Sequence, residues 1–295
     1  MDNPPPIRTP LSSMQEAIPL RYRVLGLAVA IVIVVSWVNN LYVHAKSLLP
    51  HARFLSHRIE VTDAPGDSFF LYYIANIEDR RVPVSVAEAS LPNLRFEPVY
   101  EYMTFRHQAL YRMMGHFESL AAEPASREAD PRTIRAMDVY FNDGTHARME
   151  IGEMIVYRDK PQSEGDPLKY AGGSSSNDGS GNAVFTTDKF VTLTGLSSAY
   201  LGELGSSFQY ELRGGTGQSS PSGEEAARRS LSVSYRFTIP PGSPLRLTPI
   251  SMRTLLRYKD ADGRDWAQPV RIEQAPYPTE AEMRRYVSEQ RRDKS

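Results

Sequence analysis

Apolar positions along this chain fall into two regimes. From Val24 to Val35 every residue is aliphatic or glycine. Ser36, Trp37, Val38, Asn39, Asn40, Leu41, Tyr42 and Val43 carry the run on without a charge. At about 1.5 Å of rise per residue, roughly 20 residues cross the hydrocarbon core of a bilayer. Such a segment must satisfy its own backbone in the absence of water, so the pattern predicts a transmembrane helix over 24–43. Trp37 and Tyr42 suit the headgroup region at its far end. Arg21 and Arg23 abut the near end, while His44 and Lys46 follow the far end. The balance of positive charge places the N-terminus inside. Val43-His44-Ala45 would serve a signal peptidase, which makes a cleaved, secreted protein the alternative. The length of the apolar run and of its leader favours an uncleaved anchor.

Beyond the run the period shortens to two. Ile59 and Val61 alternate with polar neighbours, as do Val82, Val84 and Val86, and Phe69–Ile74 is a dense β-prone run. Segments 134–141 and 147–157 flank Asn142-Asp143-Gly144, and segments 252–258 and 266–272 flank a turn at Asp260–Gly263. Both read as hairpins. Leu231–Ile239 is the clearest single strand, and 190–196 and 208–212 are further candidates. Two stretches break the pattern. Phe105, Ala109, Leu110, Met113, Met114, Phe117, Leu120 and Ala121 recur at three- and four-residue spacing, which predicts an amphipathic helix over 104–122. Thr279 and Glu282 form a capping box ahead of Met283, Tyr286 and Val287, which predicts a C-terminal helix.

Glycine, serine and proline punctuate the rest. Residues 161–182 include Gly172-Gly173-Ser174-Ser175-Ser176-Asn177-Asp178-Gly179-Ser180-Gly181, and read as a flexible linker. A second loop is expected over 214–223. The predicted fold is mainly β: one N-terminal transmembrane helix, then an extracytoplasmic antiparallel β-sandwich region of immunoglobulin-like type, with a short helix inserted and a helix at the C-terminus. The divisions are a Pro-containing cytoplasmic tail (1–23), the membrane helix (24–43), a stalk (44–56), a first β module (57–160), a Gly/Ser-rich linker (161–189), a second module (190–275) and a polar helix (276–295). One larger sandwich with two long loops is the alternative to two modules.

Charge and cysteine content narrow the function. Lys plus Arg is 34 and Asp plus Glu is 35. That balance gives no basic excess for nucleic acid. The chain has no cysteine, which removes disulfides, Cys-based zinc sites and thiol nucleophiles. An exported domain without disulfides suits a bacterial envelope.

The candidate chemistry is thin. Asp260-Ala261-Asp262-Gly263-Arg264-Asp265 resembles part of a calcium loop, but the glycine comes early and no late acid follows, so a β-turn explains it better. Neither the Gly/Ser stretch 172–181 nor Gly214-Gly215-Thr216-Gly217 has the Lys-Ser/Thr pair of a phosphate loop. His107 and His116 are too far apart for a metal pair on one helix face. His51 and His57 fall in or beside the stalk, where a solvated role is expected, and His146 follows a turn. No serine sits in a Gly-x-Ser-x-Gly elbow. Glu150 and Glu153 read as ordinary strand charges, and Met113, Met114 and Phe117 as core. No catalytic, cofactor-binding or metal-binding residue is assigned, and no cofactor. The expectation is a non-catalytic binding or accessory protein of the cell envelope. Its partners would be the lipid bilayer through 24–43 and an envelope or membrane protein. The alternative is an anchored hydrolase or carbohydrate-active module, with a pocket near Tyr100, Tyr102, His107 and the 196–217 loops.

Overall fold

The computed structural model describes residues 20–119, 130–158, 165–214 and 229–292. Residues 1–19 of the expected tail, 120–122 of the expected inserted helix, 161–164 of the expected linker, 215–223 of the second loop and 293–295 lie outside the described residues. Two compact units divide at Ser47 and Leu48.

The first unit is α1 (Leu20–Ser47). Its stretch from Val24 to Ser47 is long and apolar enough to span a membrane. The side chains from Val24 to Val43 are all exposed, including Trp37 and Tyr42. The Lys46 ammonium lies 4.2 Å from the centre of the Tyr42 ring.

The second unit is mainly β. Its first half holds β1 (Arg53–Phe54), β2 (His57–Thr62), β3 (Ser68–Asn76), β4 (Pro83–Ala87), β5 (Leu94–Phe96), β6 (Tyr100–Thr104), β7 (Gln108–Phe117), β8 (Arg132–Phe141) and β9 (His146–Tyr157). Then come β10 (Lys169–Ser175), β11 (Ser180–Thr187), β12 (Val191–Ser197), the short α2 (Leu201–Leu204), β13 (Phe208–Gly214), β14 (Arg229–Phe237), β15 (Ile250–Asp260), β16 (Asp265–Gln274) and α3 (Glu280–Arg292). They form a five-stranded sheet around β3 and β7, a four-stranded sheet β10-β11-β14-β13, and a seven-stranded sheet β12-β15-β2-β9-β8-β4 with β16 on β15.

The sheets are curled half-barrels, and the expected immunoglobulin-like sandwich is not confirmed. Nor is the pairing all antiparallel. β2 runs parallel to β9 on one side and to the start of β15 on the other. The seven-stranded sheet therefore takes strands from both sides of segment 161–189.

Three cores result. Phe69, Leu71 and Tyr73 of β3, with Met113 and Phe117 of β7, pack against Ile59, Val61, Met137, Val139, Ile151 and Met154 of the large sheet. Ala183 and Phe185 of β11, with Val233, Tyr235 and Phe237 of β14, pack against Met252, Leu256, Tyr258, Val270 and Ile272. On the back of the five-stranded sheet, Tyr72, Ile74 and Leu110 meet Met283 and Val287 of α3. Here the capping box forms as the sequence predicts: Glu282 Oε2 accepts from Thr279 N (2.8 Å), and Thr279 Oγ1 accepts from Glu282 N (3.3 Å).

The third core corrects the expected helix over 104–122. That segment holds the end of β6 and all of β7. Met113 and Phe117 face one core, and Leu110 faces another. A strand covered on both faces carries apolar residues at odd and even positions, which imitates helical spacing. The linker is corrected too. Residues 169–175 and 180–187 are β10 and β11, paired as a hairpin. A Cβ on Gly181 would overlap the Tyr235 ring, so the absent side chain makes room for an aromatic one. The stalk is also part of the fold. α1 runs on to Ser47, and Leu49, Phe54 and Leu55 are buried.

His57 is the largest departure from expectation. Its side chain is fully buried where a solvated one was expected. β1 pairs with β3 as far as Phe54, and Leu55 N donates to Tyr72 O (2.9 Å). The chain then leaves the five-stranded sheet and enters the seven-stranded one as β2. The His57 ring spans the gap. Its Nε2 accepts from Tyr72 N (2.8 Å), and its Nδ1 lies 2.8 Å from Ile151 O, the partner of an Nδ1–H. Burial drives its pKa from 6.5 down to about 4, although hydrogen bonds to the backbone of Ile151 and Leu55 oppose the shift. A proton on Nε2 would also face the Tyr72 N–H, donor against donor. Gly152 of β9 permits the close approach. Its φ is +95°, and a Cβ there would overlap the His57 backbone. A second tie is the buried Glu60 of β2. It accepts from Tyr157 OH (3.0 Å), Ser198 Oγ (2.5 Å) and Ala199 N (2.8 Å), fastening the end of β12 to β2.

Two predictions follow from this joint. Gly152→Ala lowers stability by about 3 kcal/mol or more, from backbone strain plus overlap; urea unfolding monitored by circular dichroism measures it. The second concerns pH. The unfolded chain protonates His57 near pH 6.5 and the folded one only near 4, so the unfolded state binds more protons in between. The stability contributed by neutral His57 is complete above pH 6.5 and is lost as the pH falls toward 4, by about 3 kcal/mol in all. His57→Gln keeps a donor and an acceptor but cannot titrate. Comparing its urea midpoints with those of the parent between pH 7.5 and 4 should show this part of the pH dependence removed.

A candidate binding cleft around Arg112

β7 places Arg112 directly opposite Tyr72 on β3 and Tyr100 on β6. Cross-strand partners share a face of the sheet, so both phenols reach the guanidinium. Arg112 Nε donates to Tyr100 OH, and a second hydrogen bond joins Arg112 to Tyr72. Aromatic rings crowd the same charge. Its Cζ lies 4.4 Å from the centre of Phe70 and 4.9 Å from those of Tyr100 and Tyr102. Tyr102 in turn meets Tyr72 edge to face at 5.3 Å.

This cluster floors a cleft of about 160 Å³. The turn joining β10 to β11 forms one wall with Ser175, Ser176 and Asn177. The start of β15 adds Ile250 and Ser251, and the end of β16 adds Glu273 and Gln274. Tyr277 stands at the rim, 55% exposed. Glu273 Oε1 accepts from Arg271 Nε (2.7 Å) and more weakly from Ser251 Oγ (3.5 Å).

The electrostatics favour holding a ligand over transferring protons. Burial raises the Tyr72 pKa well above that of a free phenol, with the neighbouring Arg112 pulling it the other way. Burial likewise raises Tyr102. Burial works against the Arg112 charge, but its hydrogen bonds and proximity to Tyr72 and Tyr100 outweigh that, and its pKa rises. These shifts all move away from neutrality, whereas a general acid or base works best with a pKa near the operating pH.

A larger cavity of about 440 Å³ lies between the β1–β2 connection and α3. Much of its charge is already engaged: Arg246 pairs with Glu282 at 2.9 Å, and Arg53 donates to Gln290. The Arg112 cleft joins aromatic walls to hydrogen-bonding groups with spare capacity, and it is the better candidate.

The sequence pointed to Tyr100 and Tyr102, which do meet here. His107 and residues 196–214 do not line the cleft; 215–217 lie outside the described residues. Arg112, Phe70, Tyr72 and Glu273 were not singled out. Their only signal was an arginine inside an apolar, aromatic-rich run. Among the described residues no group of three or more His, Asp or Glu could hold a metal ion. Asp260 commits both oxygens locally, accepting from Asp262 N (3.0 Å), Arg264 N (2.9 Å) and Trp266 Nε1 (2.9 Å). His107 precedes β7 and His116 lies in it, so they share no helix. No protein-family model matches the chain, and no curated protein matches it in sequence.

Arg112→Met should lower stability by about 2 kcal/mol, since it removes a cation held between rings and leaves two phenols short of a partner. Urea unfolding gives the figure, and a change below about 0.5 kcal/mol, within the range of ordinary surface substitutions, would show that the cluster contributes nothing to folding.

Proposed function

We propose that this is a single-pass membrane-anchored protein with its N-terminus in the cytoplasm and its β unit outside, serving a non-catalytic binding or accessory role in the cell envelope. The observation that carries the reading is the apolar stretch Val24–Ser47, none of whose most apolar window is buried. In water such a surface would far exceed the apolar patches that soluble monomers tolerate, and a bilayer is the solvent that suits it. Arg21 and Arg23 before the span supply the positive flank that favours an inside N-terminus. The binding role draws support from the Arg112 cleft, where the pKa values of Tyr72, Tyr102 and Arg112 are all raised, away from neutral pH.

The absence of native cysteine makes the test clean. Ser12→Cys and Asp262→Cys, made separately in the full chain, are treated with a membrane-impermeant maleimide on right-side-out vesicles. The thiol at position 262 should label at once, and the thiol at position 12 only after permeabilisation. The reverse pattern would overturn the orientation. Extraction of the protein by alkaline carbonate would overturn the anchor.

A further inference from the structure

We propose that the Arg112 cleft binds a single six-membered hydroxylated ring, a pyranose unit of a glycan. The proposal rests on the binding role above and adds the ligand's chemistry. Size comes first. A cavity of about 160 Å³ matches one six-membered ring, since roughly 150 Å³ accommodates benzene.

Polarity comes next. Arg112 spends hydrogen bonds on Tyr72 and Tyr100, which leaves further guanidinium N–H donors free. On the β16 side of the cleft, the Glu273 carboxylate accepts from Arg271 and Ser251 at Oε1; among the described residues Oε2 has no hydrogen-bond donor and is an open acceptor. A ligand must therefore accept on one side and donate on the other. A hydroxyl group does both with the same atom.

The remaining choices fail on charge. A carboxylate or phosphate would meet Glu273, a cation would meet Arg112, and a bare hydrocarbon ring would leave Glu273 Oε2 and the remaining Arg112 N–H donors covered without a hydrogen-bond partner. A neutral polyol ring suits both. Its flat C–H faces need an apolar wall, which Tyr277 at the rim and Phe70 and Tyr102 beneath provide. Ser176 and Asn177 add hydroxyl and amide groups able to distinguish one sugar from another.

The test uses the full chain in phosphatidylcholine nanodiscs, which avoids sugar-headed detergents. Saturation-transfer NMR is run with N-acetylglucosamine, methyl β-glucopyranoside and benzoate. Support requires transfer to the ring protons of at least one sugar, and affinity lowered about tenfold or more in both Glu273→Gln and Tyr277→Ala. Tyr277 is largely exposed, so Tyr277→Ala should leave the urea midpoint unchanged and separates loss of binding from loss of fold. Equal binding by parent and variants overturns the assignment. Transfer to benzoate alone overturns the sugar but leaves a binding cleft. A blank with all three probes overturns the cleft as a binding site as well.

Discussion

One imidazole holds the two halves of the first core in register. The chain between Leu55 and His57 crosses from the five-stranded to the seven-stranded sheet, and a crossing strand ordinarily leaves backbone donors unpaired. A buried unpaired N–H costs about as much as a lost hydrogen bond. His57 meets that demand by substituting its ring for the missing strand, taking the Tyr72 N–H at one nitrogen while the other faces Ile151 O. This works only for the neutral ring, and only if β2 and β9 approach closely enough, which Gly152 allows. The packing of Phe69, Leu71 and Met113 on Ile59, Val61 and Met154 depends on that spacing.

The sequence disclosed whatever was local and left hidden what depends on partners. The apolar run at 24–43, the hairpins at Asn142–Gly144 and Asp260–Gly263, and the Thr279–Glu282 capping box all encode their structure within a few residues, and each appears where expected. β7 was misread because a doubly covered strand loses its two-residue alternation. The Gly/Ser segment was misread because Gly181 makes room for the Tyr235 ring on β14, some fifty residues away. His57, in or beside the stalk, was given a solvated role for the same reason, as its partners lie on β3 and β9. The parallel pairing of β2 had no local signal at all.

The cleft shows the same division. Tyr100 and Tyr102 mark the pocket expected under the alternative reading, but their meaning comes from Arg112, which cross-strand register sets between Tyr72 and Tyr100. A guanidinium enclosed by rings is a rigid donor: its orientation is settled before any ligand arrives, which lowers the entropy lost on binding. Pre-organisation of this kind suits the proposed binding role, and the pKa values of Tyr72, Tyr102 and Arg112 are raised away from neutrality.

The position of β2 also governs timing. One of its neighbours, β9, is complete by Tyr157, but the other begins at Ile250, with Ile250 opposite Arg58. Those positions stand roughly two hundred residues apart, and such distant pairing is slow to form. In a chain that emerges amino-terminus first, the β15 side of β2 stays bare until Ile250 has been made. α3 follows later still, so the back of the five-stranded sheet is covered after both sides of β2. From the completion of β9 at Tyr157 to the arrival of β15 at Ile250 the protein therefore exists as a half-sheet with an open edge, and its early life depends on how well that edge is shielded from its neighbours.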